Sequence, residues 1–396
     1  GIIMMAAVYY GAIFGGSTSS ILINAPGVAS TVATSFDGYP MARQGMAGKA
    51  LAIAAGASFL GGLVGAALLL IAAPTLARVS LAFQSTDYFA LMVLGLACVA
   101  AFAGSGGMLK ALLMTVVGLM LSTVGTDQTQ GIPRFTLGMI DLIDGISFLL
   151  LVMATFALSE ALLAIARPNS IARQLREGAG SRNREGAVSE NLGSMAVTRQ
   201  ELAEIAPAAG RSSILGFFVG LLPGAGATIA SFLAYGAEAR LAGKARGQPF
   251  GRGSVRGLAA PEAANNAAAT GSFVPLLTLG IPGSGTTAIM LGALIAYGVQ
   301  PGPMLYLNEP AIFWAVIVSM WIGNVVLLIL NLPLIPYFAR ILAIPRRILL
   351  PLILFFSLIG VYFITFNAFD IQLMVIFALA AVVLRLLDFP LAPMIL

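Results

Sequence analysis

Residues 257–287 read GLAAPEAANNAAATGSFVPLLTLGIPGSGTT. The stretch is apolar enough for a membrane, yet it carries Glu262, Asn265, Asn266, Thr270, Ser272, Thr278, Ser284, Thr286 and Thr287. Pro275 and the run Pro282-Gly283-Ser284-Gly285 interrupt it. Backbone that leaves helical hydrogen bonding at membrane depth must be buried in protein or line a cavity. Polar and ionisable side chains at that depth are costly and mark functional positions. Unwound backbone with free amide N–H groups suits an anion or an ion. The stretch reads as half of a binding site, and the rest of the chain is organised around it.

The surroundings are those of a membrane protein. Of 396 residues, 59% are hydrophobic and 9% are charged, against about 25% charged in soluble domains. The net charge of +5 is concentrated in a few loops, so it reads as membrane orientation and not as nucleic-acid binding. The chain has no histidine, which removes His-ligated metals, Ser-His catalysis and His proton relays. The single cysteine, Cys98, lies in an apolar run, so no internal disulfide is expected. Residue 1 is Gly within an apolar run, and the chain closes on PLAPMIL. Both ends are expected to lie within membrane segments of a longer protein.

Taken in order, residues 1–14 predict a helix, and Gly15 to Gly27 follow with Ser17, Thr18, Ser19, Ser20, Asn24 and a Pro26-Gly27 break. Asp37-Gly38-Tyr39-Pro40 has turn chemistry. Residues 50–73 predict a span ended by Pro74, and 87–103 and 108–124 predict two more. A polar connection over 125–144 precedes a span over 145–166. Residues 167–211 are Arg- and Glu-rich without an aromatic residue, a solvated cytoplasmic loop with a short surface helix near 198–206. Residues 212–236 are apolar and broken at Pro223-Gly224-Ala225-Gly226-Ala227-Thr228. A basic loop leads into the organising stretch, and further spans are expected over 286–299, 311–339, 348–367 and 371–387.

An offset of 256 residues places Pro26-Gly27 on Pro282-Gly283, Gly15 on Gly271 and Thr31 on Thr287. Basic residues follow the first copy and precede the second, so the two copies are expected to cross the membrane in opposite senses, as in inverted-repeat transporters. The division expected is 1–166 for the first repeat, 167–211 for the loop and 212–396 for the second repeat. The fold class expected is an all-α polytopic membrane protein with broken or re-entrant helices meeting at the site.

Both breaks offer backbone N–H groups, hydroxyls and an Asn. A carboxylate is stabilised at a helix N-terminus by roughly 0.3–2 kcal/mol, and sodium takes unwound carbonyls and hydroxyls. The candidate substrate-binding residues are Ser17, Ser19, Ser20, Asn24 and Gly27 with Asn265, Asn266, Gly283, Ser284, Thr286 and Thr287. Gly224, Gly226 and Thr228 are candidates for an ion or for nearby support. Each has a plainer reading. The Pro-Gly pairs can be kinks, the hydroxyls interhelical glue, and the asparagines backbone partners. Glu262 follows Pro261 at an expected helix start, and Asp37 is expected to cap a turn.

Enzyme signatures fail. Pro223 to Thr228 lacks the GK[ST] ending of a phosphate loop, Ser284 has no histidine to work with, and no GxGD motif occurs. No ATP-binding module is visible, so energy would come from an ion gradient or another chain.

YGAIFGGSTSSILINAPG, FDGYPMARQGMAGKAL, GLLPGAGATIASF and GLAAPEAANNAAATGSFVPLLTLGIPGSGTTAIMLGAL with GVQPGP resemble the large membrane subunit of the tripartite tricarboxylate transporter family. These motifs span most of residues 9–303. The resemblance implies a multi-pass protein of the bacterial inner membrane and not an enzyme. It implies cation-driven uptake, with Na⁺ as the coupling ion and no organic cofactor. It also implies a small membrane subunit, a periplasmic solute-binding protein and a small carboxylate as partners. A channel, or a structural subunit with no site of its own, are the competing readings of the same residues.

Overall fold

The computed structural model describes residues 1–24, 28–84, 86–87, 89–90, 93–94, 107–127, 132–166, 193–223, 226–242, 249–332, 334 and 346–395. Gly27, Gly224, Pro26, Cys98 and most of the expected 87–103 span and 167–211 loop lie outside them. The described chain is helical, apart from a two-residue ladder pairing Gly125–Thr126 with Pro133–Arg134.

The helices are α1 (Ile2–Ile23), α2 (Val32–Met41), α3 (Ala47–Ser80), α4 (Gly107–Ser122), α5 (Phe148–Val152) and α6 (Ser159–Ala166). They continue with α7 (Arg199–Gly220), α8 (Gly226–Ala242), α9 (Val255–Gly271), α10 (Phe273–Leu279), α11 (Gly285–Ala296), α12 (Pro310–Asn331), α13 (Arg346–Thr365) and α14 (Ala368–Leu386). Among the described residues, five helical stretches are long and apolar enough to cross a membrane: Ile2–Leu22, Ala29–Ser80, Arg199–Gly220, Pro310–Asn331 and Ala368–Leu386. An all-α multi-pass membrane protein is therefore the architecture.

The chain divides into two compact units. The first comprises 1–82, 172–283 and 301–343, and the second 83–171, 284–300 and 344–396. In the first, α9 is the axis, packed by α7, α3, α8, α2 and α1. Every residue from Gly257 to Gly271 is buried. Alanine and glycine make this possible, because small side chains let backbones approach closely. A methyl group on Gly216 or Gly220 of α7 would collide with the carbonyls of Ala264 and Ala268, and one on Gly61 of α3 with Ala263. The small residues of α9 are matched by glycines on both flanking helices.

In the second unit, Met114, Leu151, Val152, Ala288 and Ala381 form one apolar cluster, and Leu150, Ala154, Leu158, Met374 and Ala378 another. α11 packs on α5 there. A methyl group on Gly285 would meet the Phe156 ring, and one on Gly292 would meet Leu149.

Several local expectations are corrected. The turn expected at Asp37-Gly38-Tyr39-Pro40 is the body of α2, and the chain instead bends at Gly45, with φ 79°. Gly38 serves packing: a methyl group there would sit 2.7 Å from Ile21 Cγ1. Pro74 does not end the third helix, which runs to Ser80. Gly15 to Ser20 lie inside α1, whose hydroxyls return to carbonyls three or four residues back. The surface helix near 198–206 is the first part of the 22-residue α7, opened by a Thr198–Glu201 capping box.

Candidate functional site

One face of α9 carries a polar ladder, all of it buried: Glu262, Asn265, Asn266 and Thr270. Glu262 stands two turns into the helix, not at its start as expected, because the N-cap is Ser254, whose hydroxyl accepts the Gly257 N–H at 3.2 Å. Each carboxylate oxygen of Glu262 accepts a hydroxyl. Thr34 of α2 donates to Oε1, and Ser58 of α3 donates to Oε2 at 2.8 Å.

The amides extend the network. Asn265 Nδ2 donates to the Ser30 carbonyl at 3.3 Å. Asn266 Nδ2 donates to the Glu262 carbonyl at 3.0 Å and to Asn265 Oδ1 at 2.8 Å. Both neighbours of that nitrogen are acceptors, so the Asn266 amide cannot be turned over without setting oxygen against oxygen. Its Oδ1 is thereby fixed outward from them, and it finds no hydrogen-bond partner among the described residues. One turn on, Thr270 Oγ1 donates to the Asn266 carbonyl at 3.1 Å and stands 3.4 Å from Tyr10 Oη.

Ion pairs and charged caps hold the N-terminal end of α9. Asp37 Oδ1 accepts the Gly253 and Ser254 N–H groups, both at 2.8 Å, and Oδ2 accepts Tyr235 Oη at 3.0 Å. A carboxylate over the first N–H groups of a helix complements its dipole. The expected turn-capping role of Asp37 is thus played at a distance, on another helix. Glu238 of α8 is buried and accepts Arg211 Nε and NH2 at 2.9 and 3.0 Å and Arg256 NH2 at 2.6 Å. This ties α7, α8 and α9 together.

The residues that flank the two Pro-Gly pairs share a local geometry. α1 ends at Ile23 and is capped by Asn24 in the left-handed region, φ 52°. α10 ends at Leu279 and is capped by Gly280 in the same region, φ 70°. The next helical turn begins at Ala29 in one case and at Gly285 in the other. Thr31 Oγ1 donates to the Val28 carbonyl at 2.9 Å, and Thr287 Oγ1 to the Ser284 carbonyl at 2.9 Å. Each of these pairs falls on the 256-residue offset read from the sequence.

The candidates are placed as follows. Ser17, Ser19 and Ser20 are buried and donate to the carbonyls of Phe14 and Gly16, and Ser20 also reaches Thr31 Oγ1 at 2.9 Å. Asn24 is half-buried at the break, and Gly27 and Gly224 lie outside the described residues. Gly226, φ 55°, begins α8. Thr228 is half-buried, and its carbonyl accepts Ser231 Oγ at 2.7 Å. Gly283 is buried, 3.3 Å from Ser272 Cβ as measured from a methyl group built on it. Ser284 caps α11 through a box with Thr287, and Thr286 is exposed. Asn265 meets Ser30, which adjoins the first break, and Asn266 bonds within α9. Ser284, Thr286 and Thr287 belong to the second unit.

Thr34, Ser58, Tyr235 and Glu238 were not legible as site residues. Single hydroxyls on apolar helices carry no local pattern, and Thr34 and Ser58 meet Glu262 across 228 and 204 residues.

The chain is similar to known proteins over nearly all its length. An uncharacterized 52.8 kDa protein of the TAR-I ttuC′ 3′ region of Agrobacterium vitis is 45% identical over 375 residues, 95% of this chain and 71% of that protein. A protein of the TAR-II ttuC′ 3′ region of the same organism is 45% identical over 181 residues, 46% of this chain and 74% of that protein. No solved structure matches the chain. Residues 1–396 match the tripartite tricarboxylate transporter TctA family, and the chain belongs to that family, whose members are large membrane subunits of three-part transporters.

Proposed function

We propose that the chain is the carrier subunit of a secondary uptake system for small organic anions, tricarboxylates or other carboxylates, in the bacterial inner membrane. A periplasmic solute-binding protein delivers the substrate, a small membrane subunit accompanies the carrier, and a cation gradient, sodium, drives uptake. The observation that carries this reading is the polar ladder of α9. A transporter-family protein keeps Glu262, Asn265, Asn266 and Thr270 fully buried on one helix, and such groups at membrane depth mark substrate or ion pathways.

The matched breaks support a second part of the reading, two repeats inserted in opposite senses. Asn24 and Gly280 share a left-handed cap, and Thr31 and Thr287 share a contact. Helix N-termini that begin just past the breaks, as in α11, offer amide N–H groups to a carboxylate. The first-motif serines spend their hydroxyl protons on backbone. They support the site through packing, and the direct substrate contacts fall to the break backbone and Asn24.

The test is uptake of labelled organic acids by vesicles carrying the carrier and its two partners, with and without a sodium gradient. Saturable, sodium-dependent, binding-protein-dependent uptake of one acid is the expected result. Non-saturating flux that ignores the binding protein would make the protein a channel.

A further inference from the structure

Glu262 is a carboxylate with no basic partner among the described residues. Thr34 and Ser58 hydrogen-bond its oxygens, but hydroxyls spread a negative charge without cancelling it. A carboxylate taken out of water either takes up a proton or needs a counter-charge, because hydrogen bonds alone do not repay the desolvation of its ionised form. The cations of the surrounding helices are paired elsewhere or, like Arg199 of α7 and Arg240 of α8, exposed. Lys49 of α3 pairs with Glu201 at 2.8 Å, and Arg211 of α7 and Arg256 of α9 pair with Glu238. Arg78 stands about 30 Å along α3 from Ser58, at a rise of 1.5 Å per residue. The nearby Asp37 takes two N–H groups and a phenol, and it adds no positive charge.

Asn266 presents the second demand. Its Oδ1 is buried, unpartnered among the described residues and locked in orientation by the two acceptors facing its nitrogen. Glu262 and Asn266 are four residues apart, so they share one face of α9. A charge without a counter-charge and an acceptor without a donor thus stand one turn apart. A proton would answer only Glu262 and a donor group only Asn266, whereas a metal cation answers both.

We propose that Glu262 is the carboxylate ligand of a monovalent-cation site of the sodium class. The hydroxyl oxygens of Thr34 and Ser58 and the amide oxygen of Asn266 are its neutral ligands. A hydroxyl can donate its proton to the carboxylate while offering a lone pair to the ion. One carboxylate among neutral oxygens matches a single positive charge. The described residues include no group of three His, Cys, Asp or Glu, the set that a transition metal would want. The inference deepens the cation-coupled reading above and depends on it for its physiological meaning, but its test does not require transport.

That test is equilibrium binding of radioactive sodium to the purified full chain, with thermal melting in sodium, potassium and choline salts. Wild type is expected to bind sodium saturably and to melt higher in sodium. Glu262→Gln is expected to bind about tenfold or more weakly and to lose the sodium-dependent rise. Asn266→Ala and Ser58→Ala, milder changes, are each expected to weaken binding should Glu262→Gln fail to fold. Absence of saturable sodium binding in wild type, or equal affinity in the folded variants, would overturn the site. Sodium bound here without sodium-driven uptake would leave the site standing and remove the coupling. Sodium-driven uptake with undiminished binding in Glu262→Gln would do the reverse.

Discussion

Ser58 Oγ donates to Glu262 Oε2 at 2.8 Å, joining α3 to the centre of α9. Both residues are fully buried, so no water competes for the bond. Ser58→Ala removes a donor and leaves the carboxylate oxygen short of a partner. The expected cost is roughly 1–3 kcal/mol of stability, read as a lower melting temperature in detergent. A melting temperature equal to wild type would show that Glu262 does not depend on Ser58.

The packing of α7 on α9 sets a second expectation. A Cβ on Gly216 or Gly220 would meet the Ala264 or Ala268 carbonyl, and backbone cannot swing aside as a flexible side chain can. Gly220→Ala is expected to destabilise by about 1–3 kcal/mol. Gly236 of α8 has nothing within 4 Å of such a methyl group. Gly236→Ala is therefore expected to be neutral or to stabilise by up to about 1 kcal/mol. Thermal melting of the two variants side by side checks the contrast, and equal shifts would contradict it.

Glu238 joins two arginines of unequal exposure. The Arg256 side chain is 19% exposed and that of Arg211 49%. Solvent screens the Arg211 pair, so Arg211→Ala is expected to cost under about 1 kcal/mol. Arg256→Ala removes the better-buried partner and is expected to cost about 1–3 kcal/mol. Denaturant or thermal unfolding orders the two, and a larger loss at Arg211 would contradict the assignment.

Asn24 holds a left-handed conformation, φ 52°, where Gly280 stands at the matching position of the second break. Asn24→Gly is expected to keep the cap and full stability. Asn24→Ala is expected to lose about 1 kcal/mol to strain. A melting series of the two variants tests whether the conformation or the side chain matters. If both variants melt as wild type, the left-handed cap carries no energetic weight.

The all-helical membrane class and the axis at 257–271 were legible, because apolar runs with buried polar residues are local signals. The helices before the two Pro-Gly pairs end at Ile23 and Leu279, just ahead of them. Helix interiors were less legible. Pro40, Pro74 and Pro261 all lie inside helices, since neighbouring helices and side chains re-satisfy the backbone that proline frees. Gly38 imitated a turn residue but serves close contact with Ile21. The serines of α1 imitated a polar break but bond back within their own helix. The hydrogen-bond partners of Glu262 were invisible because they come from α2 and α3, more than two hundred residues away, as single hydroxyls.

The polar ladder of α9 is expected to act in uptake and not only in packing. Uptake of the transported acid by Asn266→Ala, in vesicles with both partners, tests it most directly, with melting temperature measured on the same preparation. Asn266 Oδ1 has no protein partner among the described residues, so its loss need not unfold the helix. The expected result is uptake reduced about tenfold or more, the scale of a lost ligand, with the fold retained. Uptake equal to wild type in a folded Asn266→Ala protein would contradict the claim and leave α9 a structural core.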